Sequence, residues 1–170
     1  IDFKSLQEYG WPFPRHVYGG LLNTFARIQE ENQRERSVFL DILFADPSGN
    51  PYADSRLLEG IEENKRVFLE LYLQVNPLPL NLEEEMIARQ LALFDRHGSV
   101  TDISGNWQDM KAYYGQQPPL RPFGEVSAGY GHVNADEDAD EVFRRQELIA
   151  KLSIYLGAMR YSDLDTDVQL

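Results

Sequence analysis

Apolar residues recur at three- and four-residue steps through residues 54–75, DSRLLEGIEENKRVFLELYLQV. Leu57, Ile61, Phe68, Leu71 and Val75 share one side, with Leu58 and Tyr72 beside them. Glu59, Glu62, Glu63, Arg66 and Glu70 occupy much of the other. The spacing predicts an amphipathic helix of about five turns, whose broad apolar stripe must be buried. The other elements are expected to pack around it.

Upstream, Val17, Leu21, Phe25 and Ile28 begin a second helical pattern at Arg15. QEENQRER, residues 29–36, contains no apolar residue, and the pattern resumes through Phe39, Ile42 and Leu43. Neither Gly nor Pro interrupts residues 21–44, so one long helix with an exposed middle is expected, ended by ADPSGNP at 45–51. Before it, IDFKSLQEYGWPFPRH reads as a helical turn followed by an extended segment anchored on Trp11. RSVFLDILF and KRVFLELYL resemble one another, and two core helices under similar constraints account for the likeness.

Asn81 and Glu84 form a capping box for a helix running to Gly98. Asp138 and Glu141 do the same for a final helix carrying Val142, Ile149, Leu152, Leu156 and Met159. Between these two helices, residues 98–134 are rich in Gly, Pro and aromatic side chains. That composition predicts an irregular crossover, with short strands around 99–103 and 125–128 that would make one small β-hairpin. Residues 161–170 read as an acidic C-terminal tail. The expected fold is one mainly α domain over 1–170, an irregular bundle of four or five helices.

Charge narrows the partners. With 28 acidic and 16 basic side chains in 170 residues, the formal net charge is −12. Such a field repels nucleic acid and anionic lipid and suits a protein with a basic surface. Cysteine is absent, which removes disulfides and thiolate chemistry. No apolar run reaches the length of a membrane span. The cytoplasm is the expected compartment. The chain starts at Ile1, so an upstream targeting segment stays open.

Candidate chemistry is sparse. No HExxH, Gly-x-Ser-x-Gly or phosphate-binding glycine loop occurs. His132 with Asp136, Asp138 and Asp140 offers imidazole and carboxylates to a divalent metal, though the acids also suit a helix start. His132, Asp136, Asp102 and Glu125 are the candidates for acid–base work. Trp107, Tyr113, Tyr114, Arg121, Phe123 and Tyr130 would form a rigid docking surface. The sequence therefore points to a non-catalytic accessory or protein-interaction subunit, such as an inhibitor, chaperone or complex component. It would need no cofactor beyond that metal, touch neither membrane nor nucleic acid, and be compatible with homo-oligomers. A hydrolase or metal-assisted enzyme built from dispersed carboxylates and His132 is the alternative.

Overall fold

A computed structural model of the chain describes residues 2–76, 104–135, 138–142 and 150–152. The chain divides into two units: Ile1–Tyr72 with Gln117–Val133, and Leu73–Gln116 with Asn134–Leu170.

In the first unit, α1 (Phe3–Tyr9) is capped by Asp2, whose carboxylate accepts from the Ser5 N–H at 2.8 Å. Pro14 leads into α2 (Arg15–Ala26). An irregular segment follows, then strand β1 (Val38–Leu40). Asn50 caps α3 (Pro51–Asn64), with Pro51 in the first turn where its missing N–H costs nothing. Lys65 ends that helix in the left-handed conformation at φ 65°. Strand β2 (Val67–Gln74) starts two residues later.

This is where the sequence pattern misleads. The helix expected over 54–75 stops at Asn64, and the one expected from Arg15 stops at Ala26. VFLELYL satisfies a three-to-four spacing, but it also alternates: Val67, Leu69 and Leu73 are buried, whereas Phe68, Glu70 and Tyr72 are partly or largely exposed. β-Branched and aromatic residues favour the alternating solution. The paired strands make the similar segments neighbours, with Val38, Phe39 and Leu40 in register with Val67, Phe68 and Leu69. Because β1 and β2 run parallel, their link must cross over, and α3 is the crossover.

Helix α4 (Arg121–Val126) and strand β5 (Gly129–His132) complete the first unit. β5 pairs parallel to β2 on the side away from β1. One sheet face packs on the helices: Leu40, Val67 and Leu69 join Tyr18, Leu22, Phe44, Leu57, Ile61 and Phe123 in one core. Helices α2 and α3 meet almost backbone to backbone. A Cβ on Gly19 would lie 2.1 Å from the Arg56 carbonyl oxygen, and one on Gly60 would lie 2.6 Å from the Gly19 oxygen.

Buried polar groups fasten the irregular segment to the end of α3. The fully buried Asn64 donates to Glu35 Oε1 at 2.7 Å, and its side-chain oxygen accepts from the Arg66 N–H at 3.1 Å. Arg34 donates to the Asn64 carbonyl at 2.6 Å and Arg66 to the Glu35 carbonyl at 2.6 Å.

In the second unit, a 3-10 turn (Trp107–Asp109) precedes β3 (Ala112–Tyr113) and β4 (Gly115–Gln117). β3 pairs parallel with β6 (Lys151–Leu152). Within this unit, which includes the last two residues of β2, the Tyr114 N–H donates to the Gln74 carbonyl at 2.8 Å. The Asn134 amide mimics a further strand, bonding both the N–H and the C=O of Leu73 at 2.9 and 2.8 Å.

Among the described residues the fold is mainly helical, with four helices, and carries a more extensive sheet than one hairpin. The hairpin expectation is corrected: residues 125–126 are helical, and the adjacent strand, 129–132, pairs in parallel with β2. Residues 99–103 and the helix expected over 81–97 lie outside the described residues, as does the tail 161–170. The final helix is described at 138–142, a turn with Glu141 at φ 61°, and at 150–152, where Lys151 and Leu152 are strand.

Candidate functional site

The second face of the first unit's sheet carries the residues that the core leaves over. Parallel register puts Phe39 beside Phe68 and Phe68 beside Gly129, and then Glu70 beside Gly131. Asp41 follows Leu40, whose partner is Leu69, and so stands next to Glu70 on the opposite side from Gly131. With no side chains at 129 and 131, the Phe39 ring leans across the sheet. Its Cε2 lies 3.0 Å from where a Cβ on Gly131 would be. Phe39 is 46% exposed and Tyr72 45%, and Phe68 and Glu70 are half-buried.

Burial raises the Glu70 carboxyl above the ordinary glutamate range, and the charge of Asp41 raises it further. Neither carboxylate has an ion pair among the described residues. Two like charges on adjacent strands oppose folding, so this pair is unfavourable as it stands. A cation between them would reverse the sign of that interaction.

Arg15 bonds Asp54 at 2.8 Å, with its guanidinium over the Phe44 and Phe123 rings at 5.1 and 5.5 Å. Burial would raise the Asp54 carboxyl, but bonds from Ser48 and Arg15 outweigh it and hold the group low.

Of the residues expected to do acid–base work, Glu125 and His132 are described. Glu125 is exposed and paired with Arg121 at 2.7 Å. His132 pairs in register with Leu71, which turns its side chain to the face opposite Glu70, and its buried Nδ1 has no hydrogen-bond partner. Asp102 and Asp136 lie outside the described residues. Asp138 and Asp140 lie within the turn closed by the Glu141 N–H to Asp138 carbonyl bond. No group of three or more His, Asp or Glu that could hold a metal is present among the described residues.

Of the docking aromatics, Tyr113 and Phe123 are each 2% exposed, Phe123 packing edge-on against Phe44. Tyr114 is half-buried, and so is Tyr130, whose hydroxyl would sit 2.2 Å from a Cβ on Gly124. Trp107 is 41% exposed, with the Lys151 ammonium 5.7 Å from its ring centre.

Comparison with known families supplies the context. The family model described as the CHASE2 domain matches residues 1–168. The chain belongs to the CHASE2 family. No curated protein and no solved structure matches it.

CHASE2 domains are extracellular or periplasmic sensory modules of membrane receptors. Membership overturns the reading of an acidic accessory, inhibitor or chaperone subunit, since the family's role is sensory. It also overturns the cytoplasmic assignment and the exclusion of a membrane. The inference from net charge failed because repulsion from lipid concerns a freely diffusing surface, whereas a receptor's sensory module is held at the membrane by the rest of the receptor. Among the described residues no helix is long and apolar enough to cross a membrane.

Asp41, Glu70, Phe39, Phe68 and the two glycines were missed by sequence reasoning. The signal was present in the alternation of VFLELYL and in the Gly-x-Gly of GYGH.

Proposed function

We propose that the chain is the sensory module of a membrane receptor and that it takes a small organic ammonium ion on the second sheet face of its first unit. The observation that carries this reading is Glu70, a half-buried carboxylate beside Asp41 with no described counter-ion. Phe39 and Phe68, in register with one another, stand one same-face position before Asp41 and Glu70, and Tyr72 follows Glu70 on its strand face. Carboxylates supply charge to an ammonium, and ring faces supply their negative quadrupole at little desolvation cost. Gly131 on β5 has no side chain, and the Phe39 ring lies over it.

Titration calorimetry with choline tests this. Binding is expected in the native chain and about ten-fold weaker in Glu70→Gln, which loses one charge-assisted contact. The pH dependence has a definite sign. A cation favours the ionised carboxyl, so affinity is highest where Glu70 is charged. It falls on acidification from a higher pH than an ordinary glutamate would give, because Glu70 holds its proton more tightly. Equal affinity in Glu70→Gln, or no uptake of choline, contradicts the reading.

A further inference from the structure

Helix α1 buries none of its residues. Phe3, Leu6 and Tyr9 recur every third residue, so they form one stripe, and they are 74%, 38% and 42% exposed. Trp11 extends the stripe at 64% exposure. Tyr9 and Trp11 both meet the ring of Phe13 edge-on, at 6.1 and 5.6 Å between centroids. Phe13 is half-buried and packs against the core, 6.0 Å from the Tyr18 ring. The segment is thus anchored through one ring while presenting four large side chains outward.

We infer that this stripe lies on the surface of a phosphatidylcholine-like, zwitterionic bilayer, with its rings at the level of the headgroups. The inference rests on the assignment of the chain to a membrane receptor. Residue type favours this occupant: Trp and Tyr combine an apolar ring with a polar atom and concentrate at the membrane–water boundary. An amphipathic helix that binds a bilayer lies in that plane with its apolar side down. Charge favours zwitterionic over anionic lipid. The stripe's own segment, residues 2–13, holds two acids and one base, Asp2 and Glu8 against Lys4, within a chain of net charge −12. A basic patch that would select anionic headgroups is missing from that segment.

The test is flotation of the whole chain with phosphatidylcholine vesicles, compared with Phe3→Ser/Trp11→Ser. Since α1 buries none of its residues and Trp11 is largely exposed, while Phe13 keeps its contact with Tyr18, the variant should keep the native circular dichroism and choline affinity. Its vesicle partition coefficient should fall at least about ten-fold through loss of two exposed aromatic rings. Equal partition of the two proteins, or no flotation of either, overturns the inference. So does a concentration-dependent dimer in sedimentation that the same substitutions abolish, since the stripe would then belong to a second copy. Choline uptake without flotation would overturn the bilayer contact alone. Flotation without choline uptake would overturn the ligand reading alone.

Discussion

Gly19→Ala should destabilise the chain by about 1–3 kcal/mol, through overpacking at a contact that no side chain can relieve. The added Cβ would lie 2.1 Å from the Arg56 carbonyl oxygen and 2.9 Å from the Leu57 N, both backbone atoms of α3. Rotamer changes cannot move them, so α2 and α3 must part, loosening the fully buried Leu22 and Leu57. Helix propensity works the other way: replacing an interior glycine by alanine gains up to about 1 kcal/mol. Gly20 isolates that gain, because nothing lies within 4 Å of a Cβ there. Gly20→Ala should therefore stabilise by up to about 1 kcal/mol. Urea unfolding of the two variants checks both signs at adjacent positions. Destabilisation by both, to the same extent, would refute the close crossing.

Asn64→Ala should cost about 2–4 kcal/mol, because it leaves several buried groups without partners. Asn64 is fully buried at the end of α3. Its amide holds the Glu35 carboxylate at 2.7 Å, and its oxygen holds the Arg66 N–H. The other Glu35 oxygen already lacks a hydrogen-bond partner, so the part-buried carboxylate would keep only its 3.7 Å pairing with Arg34 Nε. Glu35→Gln in the Asn64→Ala background should recover part of the loss, and a double-mutant cycle in denaturant measures that coupling. Additive effects of the two substitutions would contradict the network.

Much of the first unit was legible as apolar pattern but not as period. Leu57 and Ile61 were rightly read as buried in a helix. The stripe then ran on through Phe68 and Leu71 because a short apolar run fits both helical and strand spacing. Lys65 marks the break, yet lysine gives no sign that it will adopt a left-handed cap. The likeness of RSVFLDILF to KRVFLELYL was visible and correctly noted, but it was taken for similar helices. Parallel neighbours in one sheet face the same two environments, so matched sequences are the expected signature of matched register. The acid pair was invisible for a different reason. Asp41 and Glu70 are 29 positions apart, and only strand register brings them together. Trp11, expected as an anchor, is exposed, and Phe13 two residues on takes that role.

The most direct measurement is a titration of the isotopically labelled chain with choline, followed by amide chemical shifts. A ligand held between Glu70 and Asp41, beside the paired Phe39 and Phe68, should move the amides of Phe39, Asp41, Phe68 and Glu70 in a saturable way. Amides of the helix-packed core, such as Leu57 and Ile61, should stay in place. Saturable shifts centred elsewhere, or none at any concentration, would contradict the account.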